Sequence, residues 1–410
     1  MQIDKKQLQR QKEGLARWKL NNYIGLLQWA TGTGKTFAAI LAIKHYRKHI
    51  KTDASVIVVV PSTNLYKQWK NRLVEHSVDN VQVYIINTLI TNKHQCDLLI
   101  LDEIHSYTGG LTFRQVFDCV SRTSILGLTA SKREKYEDEV LLEKHCPTVD
   151  ILPLREALNL GFISNYNVYN LVIDGGKPLN AQYRKLTKKF NRIFSTFDHD
   201  WELANRAIKS KEIRQSIADR KDYDVKIVDA HAFNFYKIMG ERKTFLYEHP
   251  AISDTAIKLS NKYNDKKIIT FSQTTKVADR ITENVANSAS CHSNLPTIKV
   301  DGKKMAAGRQ IERNLKLFKE NKLRQLNTAM SFNEGVDIPD IDMSIKCAYT
   351  SSKIDALQRL GRTLRKNEDH IATEINICLG GTQSEKWLRN SQKNIPNVHW
   401  ISSIDEINVY

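Results

Sequence analysis

The sequence predicts an α/β protein made of two doubly wound parallel-sheet lobes, with a helical segment leading into the second. Three observations predict it. Short Val- and Ile-rich runs alternate with helical pattern over residues 24–128 and again from residue 267, as expected of strands buried on both faces of a parallel sheet. The first run feeds a glycine-rich loop and then an amphipathic helix. Between the two α/β stretches, residues 179–260 are polar, basic and helical in pattern.

Taken in order, the first lobe (residues 1–165) offers strands at Ile24–Trp29, Val56–Val60, Val83–Ile86, Leu98–Leu101 and Ile125–Leu128, with a break near Asp150–Ser164. A linker strand, Tyr166–Ile173, and the turn Asp174-Gly175-Gly176-Lys177-Pro178 then open the basic helical segment, residues 166–260. The second lobe (residues 261–410) offers strands at Ile268–Phe271, Thr297–Val300, Gln325–Thr328, Met343–Lys346 and Glu374–Cys378. The chain shows no short repeat and no coiled-coil heptads, so a monomer is expected.

The bulk numbers bound the function. A chain of 410 residues suits two or three domains of roughly 150 residues each. No apolar run approaches a membrane span of about 18–20 residues. The start, MQIDKKQLQRQ, lacks the apolar stretch of a signal peptide, so a cytoplasmic protein is expected. The net charge of +17 suggests a polyanionic partner, nucleic acid or an acidic surface, against the plainer reading of a Lys-rich solubilising surface. The six cysteines never form a CxxC pair, which disfavours zinc and iron–sulfur modules. They are expected to be buried thiols in a reducing compartment.

Two stretches carry phosphate chemistry. Strand Ile24–Trp29 runs into Ala30-Thr31-Gly32-Thr33-Gly34-Lys35-Thr36 and then a helix, the context a P-loop requires. Glycines let backbone N–H groups close on phosphate oxygens. Lys35 is expected to reach the β/γ-phosphates of ATP, and Thr36 to offer a hydroxyl to Mg2+. The strand of CDLLILDEIH ends in Asp102-Glu103-Ile104-His105. Asp102 is placed to hold Mg2+ through water, Glu103 to orient the attacking water, and His105 to couple the site to the rest of the lobe.

With Gly127-Leu128-Thr129-Ala130-Ser131 and Gln358-Arg359-Leu360-Gly361-Arg362-Thr363-Leu364-Arg365 added, the chain resembles a superfamily 2 DExH helicase from about Gln11 to Arg365. The nearer likeness is to compact phage recombination and repair helicases of the UvsW kind and to XPB-like motors. The resemblance implies RecA-like lobes, ATP and Mg2+ as cofactors, and DNA as partner, with branched duplex and a single tracking strand as substrate. It tolerates Trp29 where the general P-loop pattern has glycine. It assigns Gln11 to adenine, although Arg10 stands where an aromatic is usual. Thr31, Gly32, Thr33 and Gly34 fall to the nucleotide, as does Asp337 at the ribose. Pro61, Ser62, Thr63 (followed by Gln68-Trp69), Thr88, Ser272 and Thr328 match nucleic-acid contacts. Thr129 and Ser131 match the motif coupling hydrolysis to strand movement.

The same resemblance answers what an arginine pair three residues apart does behind a glycine. Arg362 and Arg365 share a helix face and meet the γ-phosphate across the interlobe cleft, with Gln358 sensing it. Guanidinium suits this role because it pairs bidentately and stays charged.

In the segment 179–260 the basic residues are candidates for phosphate contact, and Tyr183, Phe190, Phe194, Phe197 and Trp201 are expected to pack a helical hairpin. The motifs do not discriminate DNA from RNA. An RNA helicase, a nucleotide-gated binding module and a motor subunit serving a separate nuclease remain the alternatives.

Overall fold

The computed structural model describes residues 5–133, 135–163, 165–300, 302–329, 341–349, 371–393 and 395–408. Its first sheet contains β1 (Ile24–Trp29), β2 (Val56–Val60), β3 (Val81–Ile85), β4 (His94–Asp102), β5 (Val120–Thr129) and β6 (Thr148–Leu152), in the order β3-β2-β4-β5-β1-β6. All neighbours are parallel. β2 reads VIVVV and is buried at every position, because helices cover both faces. One core cluster joins Leu15 and Trp18 of helix Lys5–Leu20 and Ile40 and Ile43 of helix Lys35–His49 to Val58, Ile100 and Leu128. A second, on the other face, gathers Leu26, Val59, Leu101, Tyr107 and Phe117.

The second sheet contains β7 (Tyr166–Ile173), β8 (Ile268–Ser272), β9 (Ser288–Cys291), β12 (Gln325–Ala329), β13 (Met343–Lys346), β14 (Ala372–Leu379) and β15 (Val398–Ile401). Its order is β15-β7-β14-β13-β8-β12-β9, again parallel throughout. The two RecA-like lobes expected from sequence are therefore present. β10 (Ile298–Val300) and β11 (Lys303–Met305) form a separate antiparallel ribbon. The expected strand Thr297–Val300 thus lies outside the main sheet.

Three features differ from the sequence expectation. The break near Asp150 contains β6, an edge strand in which Asp150 is buried against β1. β7, expected as a linker, is an interior strand of the second lobe, paired with both β14 and β15. Helix Pro250–Lys262, grouped with the basic segment, packs Ile252, Ala256 and Leu259 into the second lobe's core.

The remaining helices, Gly176–Ser195, Trp201–Lys209, Lys211–Lys221 and Val225–Tyr247, share a core of their own. Phe190, Phe194 and Phe197 pack there against Phe235, as the sequence pattern suggests. Tyr183 is buried against the second lobe's cluster. Trp201 lies tilted against Phe194 but keeps 48% of its surface exposed. Of the six cysteines only Cys119 is not fully buried, and burial pushes the Cys96, Cys146, Cys291, Cys347 and Cys378 thiols up to about 12. Among the described residues no helix is long and apolar enough to cross a membrane.

Candidate active site

The order of the first sheet places β5 between β4 and β1. Thr129 is in register with Gln28, and Leu128 with Asp102. The loop after β1, the acidic turn after β4 and Thr129-Ala130-Ser131 after β5 therefore meet at one carboxyl edge, where α/β sheets bind ligands.

The loop after β1 has a phosphate-cradle shape. Gly32 and Gly34 take φ of 85° and 82°, the left-handed region where a side chain is penalised. A Cβ on Gly34 would also lie 2.4 Å from Gln11 Nε2. Gln11 Nε2 donates to the Thr33 carbonyl at 3.0 Å, and the Thr33 hydroxyl donates to the Ala30 carbonyl at 2.7 Å. Lys35 opens the helix, is 9% exposed, and donates from Nζ to the Trp29 carbonyl at 3.1 Å. Thr31 and Thr36 are half-buried at the same mouth. Gln11 Oε1 is buried and has no hydrogen-bond partner among the described residues. A buried orphan acceptor beside a glycine cradle and a lysine fits ATP, whose adenine amino group supplies the missing donor and whose phosphates supply the anion.

Across the edge, Asp102 is 4% exposed and held by two donors: Trp69 Nε1 at 2.7 Å and the Glu103 N–H at 3.1 Å. Burial, with the Glu103 charge beside it, pushes the Asp102 carboxyl up to about 6, while Lys35 pulls the other way. Glu103 has φ of 49°, a strained backbone for a residue with a Cβ, of the kind that collects at functional sites. Asp102 and Thr36 are hard oxygen donors, and no group of three or more metal-binding side chains gathers among the described residues. Hard oxygen donors of this kind fit Mg2+, which takes one or two protein ligands together with substrate phosphates. Once bound, the ion would neutralise charge on the phosphates during transfer.

A chain of close contacts leaves this acidic pair. His105 Nδ1 lies 3.4 Å from Glu103 Oε2 and 2.8 Å from the Thr129 hydroxyl. Thr129 donates its single proton to the Ser131 carbonyl at 2.8 Å. Its oxygen therefore accepts from His105, which fixes the histidine proton on Nδ1. The Ser131 N–H returns to the same oxygen at 3.3 Å.

Two functional residues escape sequence reasoning. Trp69, read only as part of a nucleic-acid motif, is fully buried and orients Asp102. Trp29, noted only as a departure from glycine, donates from Nε1 to Asp150 Oδ2 at 2.7 Å. Asp150 also accepts from Arg10 at 2.6 Å and from Arg17. The indole and guanidinium thus tie the helix bearing Gln11 to the start of the nucleotide loop. The only sequence signal was an aspartate inside an otherwise strand-like TVDIL.

Of the expected nucleic-acid contacts, Thr63 and Thr88 are exposed and Pro61 and Ser62 half-buried. Ser62 caps helix Thr63–Glu75 by accepting from the Leu65 N–H at 3.4 Å. Ser272 and Thr328 are different. Both are buried, with their hydroxyls donating to the Thr328 and Thr270 carbonyls at 2.8 Å. In this conformation neither hydroxyl is presented to a strand. Asp337, Gln358, Arg362 and Arg365 lie outside the described residues.

A Trp69→Phe chain should fold, since a buried aromatic ring still fills most of the space, but it should lose a charge-assisted bond of roughly 1.5–3 kcal/mol. ATP turnover about tenfold or more below the intact chain is expected. Turnover equal to that of the intact chain would show that the indole does not orient the carboxylate.

Fold and site together define a two-lobed ATP-hydrolysing motor of the helicase class. Residues 1–93 match the family described as Type III restriction enzyme, res subunit, and residues 251–367 match the helicase conserved C-terminal domain. These matches place the chain among the superfamily 2 helicases. It is 25% identical to the DNA 3'-5' translocase XPB2 of Sulfurisphaera tokodaii, over 93% of this chain and 84% of that protein. Among solved structures it resembles the ATP-dependent Type ISP restriction-modification enzyme LlaBIII bound to DNA, with a TM-score of 0.59, 16% identity and 99% of this chain covered. The chain spans only 32% of that enzyme's length. It also resembles S. cerevisiae Dbp5 bound to RNA and ADP BeF3, with a TM-score of 0.58, 15% identity, and 96% of this chain and 90% of that one covered.

Proposed function

We propose that this chain is an ATP-driven DNA translocase that remodels branched DNA, by fork reversal or Holliday-junction branch migration, in replication, recombination or repair. The observation that carries the motor reading is the path from Glu103 through His105 to Thr129 and Ser131. It gives hydrolysis at the acidic pair a mechanical outlet. The similarity to a translocase across 93% of the chain supports DNA. The likeness of DEIH and QRLGRTLR to phage helicases of the UvsW kind supports a branched substrate.

In this reading Gln11 takes the adenine, and Gly32, Gly34 and Lys35 take the phosphates. Thr36 and Asp102 hold Mg2+, and Glu103 aligns water. Asp337 faces the ribose. Arg362 and Arg365 close on the γ-phosphate from the second lobe, with Gln358 beside them. Pro61, Ser62, Thr63 and Thr88 line the tracking strand. ATP closes the lobes only as far as it binds the closed state better than the open one. Loss of the γ-phosphate contacts reopens them, so that each cycle advances the strand.

Arg362→Ala should lose about 10³-fold in turnover while ATP still binds, as read by fluorescent-nucleotide titration. Unchanged turnover would return QRLGRTLR to a solvated helix.

The test of the whole reading is ATP turnover without nucleic acid and then with single-stranded DNA, duplex, a four-way junction and RNA in parallel. Stimulation greatest with the junction is expected. Stimulation mainly by RNA would overturn the substrate, and none by any would leave a nucleotide-gated binding module.

A further inference from the structure

Resting on the nucleic-acid reading above, we infer that the solvent face of helix Gly176–Ser195 is a second nucleic-acid site, a sequence-independent clamp on the phosphates of a duplex arm, apart from the tracking strand. The helix carries Lys177, Arg184, Lys185, Lys188, Lys189 and Arg192 and no acidic residue. All six cations are exposed. At 100° per residue they fall opposite the buried Tyr183, Phe190, Ile193 and Phe194. Arg184, Lys188 and Arg192 form a row rising by about 6 Å per step, with Lys185 and Lys189 alongside.

A solvated helix normally mixes signs, because like charges four residues apart repel. The neighbouring helices do this. Arg214 pairs with Asp229, and Arg220 and Lys221 both pair with Asp198. On helix Gly176–Ser195 none of the six cations has an ion-pair partner among the described residues. The flanking acids are engaged elsewhere: Asp174 accepts from the Gly176 N–H, and Asp198 holds Arg220 and Lys221. The Arg192 charge is left to act on its surroundings, adding to burial in lowering the neighbouring His231. A repulsive row with no internal partner is what a polyphosphate would neutralise.

The face also says which nucleic acid. Single strands are gripped by aromatic platforms as well as charge. Here the helix's aromatics all point into the core, leaving charge alone. A straight, purely cationic row suits a stiff duplex backbone, whose phosphates are closely and regularly spaced.

The test compares two double variants of the full chain, each losing two positive charges: R184A/K188A on the proposed face, and R220A/K221A, whose cations are already paired. Binding to a short duplex is measured without nucleotide over a salt series, with circular dichroism as the folding check. R184A/K188A should flatten the slope of log affinity against log salt by about 2 and weaken duplex binding about tenfold or more at low salt. R220A/K221A should stay near the intact chain. Should R184A/K188A fail to fold, the milder K185Q/K189Q keeps the comparison. Equal effects of both pairs would reduce the face to general electrostatics and overturn the site. So would an unchanged slope in R184A/K188A, or a loss confined to binding of anionic phosphatidylserine vesicles. If the intact chain binds no nucleic acid at all, the function proposed above falls first, which a flat variant slope against normal binding by the intact chain would not imply.

Discussion

Alanine in place of Lys35 should leave ATP turnover about 10³-fold or more below the intact chain, the largest change any single side chain of the described site is expected to cause. The reason is local. Lys35 lies at the mouth of the glycine loop, is nearly buried, and its ammonium is held on the Trp29 carbonyl. It is thus preorganised for a phosphate before one arrives, and acts where little water screens it. It is also close enough to oppose the rise in the Asp102 carboxyl, so its charge is felt by both halves of the site. Alanine favours the helix that starts there, so the fold should survive and circular dichroism should be unchanged. Phosphate release under saturating ATP is the measurement. Turnover within severalfold of the intact chain would mean that nucleotide binds elsewhere, and would remove the basis of every assignment at this edge.

The grouping of this candidate edge was legible in the sequence because its residues sit in contiguous motifs at strand ends. The strand Val56–Val60 was readable to the residue, since a strand covered on both faces tends to be continuously apolar, and Tyr166–Ile173 was readable although Asn167 and Asn170 interrupt it. The pairing of His105 with Thr129 was expected only as a coupling role, and the sheet order supplies the contact. What stayed hidden has physical causes. β9 reads SASC and, among the described residues, pairs only with β12, so no apolar run marks it. β6 holds a buried aspartate, which pattern reading scores as a loop. Trp69 is 33 residues from Asp102 in sequence, and nothing local declares that an indole N–H will be spent on a carboxylate. The hydroxyls of Ser272 and Thr328 looked available because sequence cannot show that neighbouring strands will absorb them.

Asp150 is the clearest of these hidden residues, and its removal should be the most destabilising single change in the first lobe. Its carboxylate is buried and accepts from Arg10, Arg17 and the Trp29 indole. Gly14 lies so close that a Cβ there would come within 2.7 Å of Asp150 Oδ2. Asp150→Ala strands the Trp29 N–H and takes the main anionic partner from the Arg10 guanidinium, whose side chain is only 11% exposed and which keeps the Ile151 carbonyl and a longer contact to Glu156. Breaking a buried pair from one side costs about 3–5 kcal/mol, since the remaining charge keeps its desolvation penalty. The exposed pair Arg280–Asp254, with both side chains nearly half-exposed, provides the contrast: Asp254→Ala should stay within about 1 kcal/mol. Asp150→Asn should fall between, because the amide oxygen can still accept from the indole while the charge is gone. Denaturant midpoints for the three variants check the order. A second readout separates scaffold from site. Arg10 adjoins Gln11, and the Trp29 carbonyl holds Lys35, so Asp150→Asn should raise KM for ATP more than it lowers kcat at temperatures where it is fully folded. An Asp150→Ala chain no less stable than Asp254→Ala would mean that water satisfies both arginines, and that Trp29 keeps its place at the nucleotide loop by packing alone.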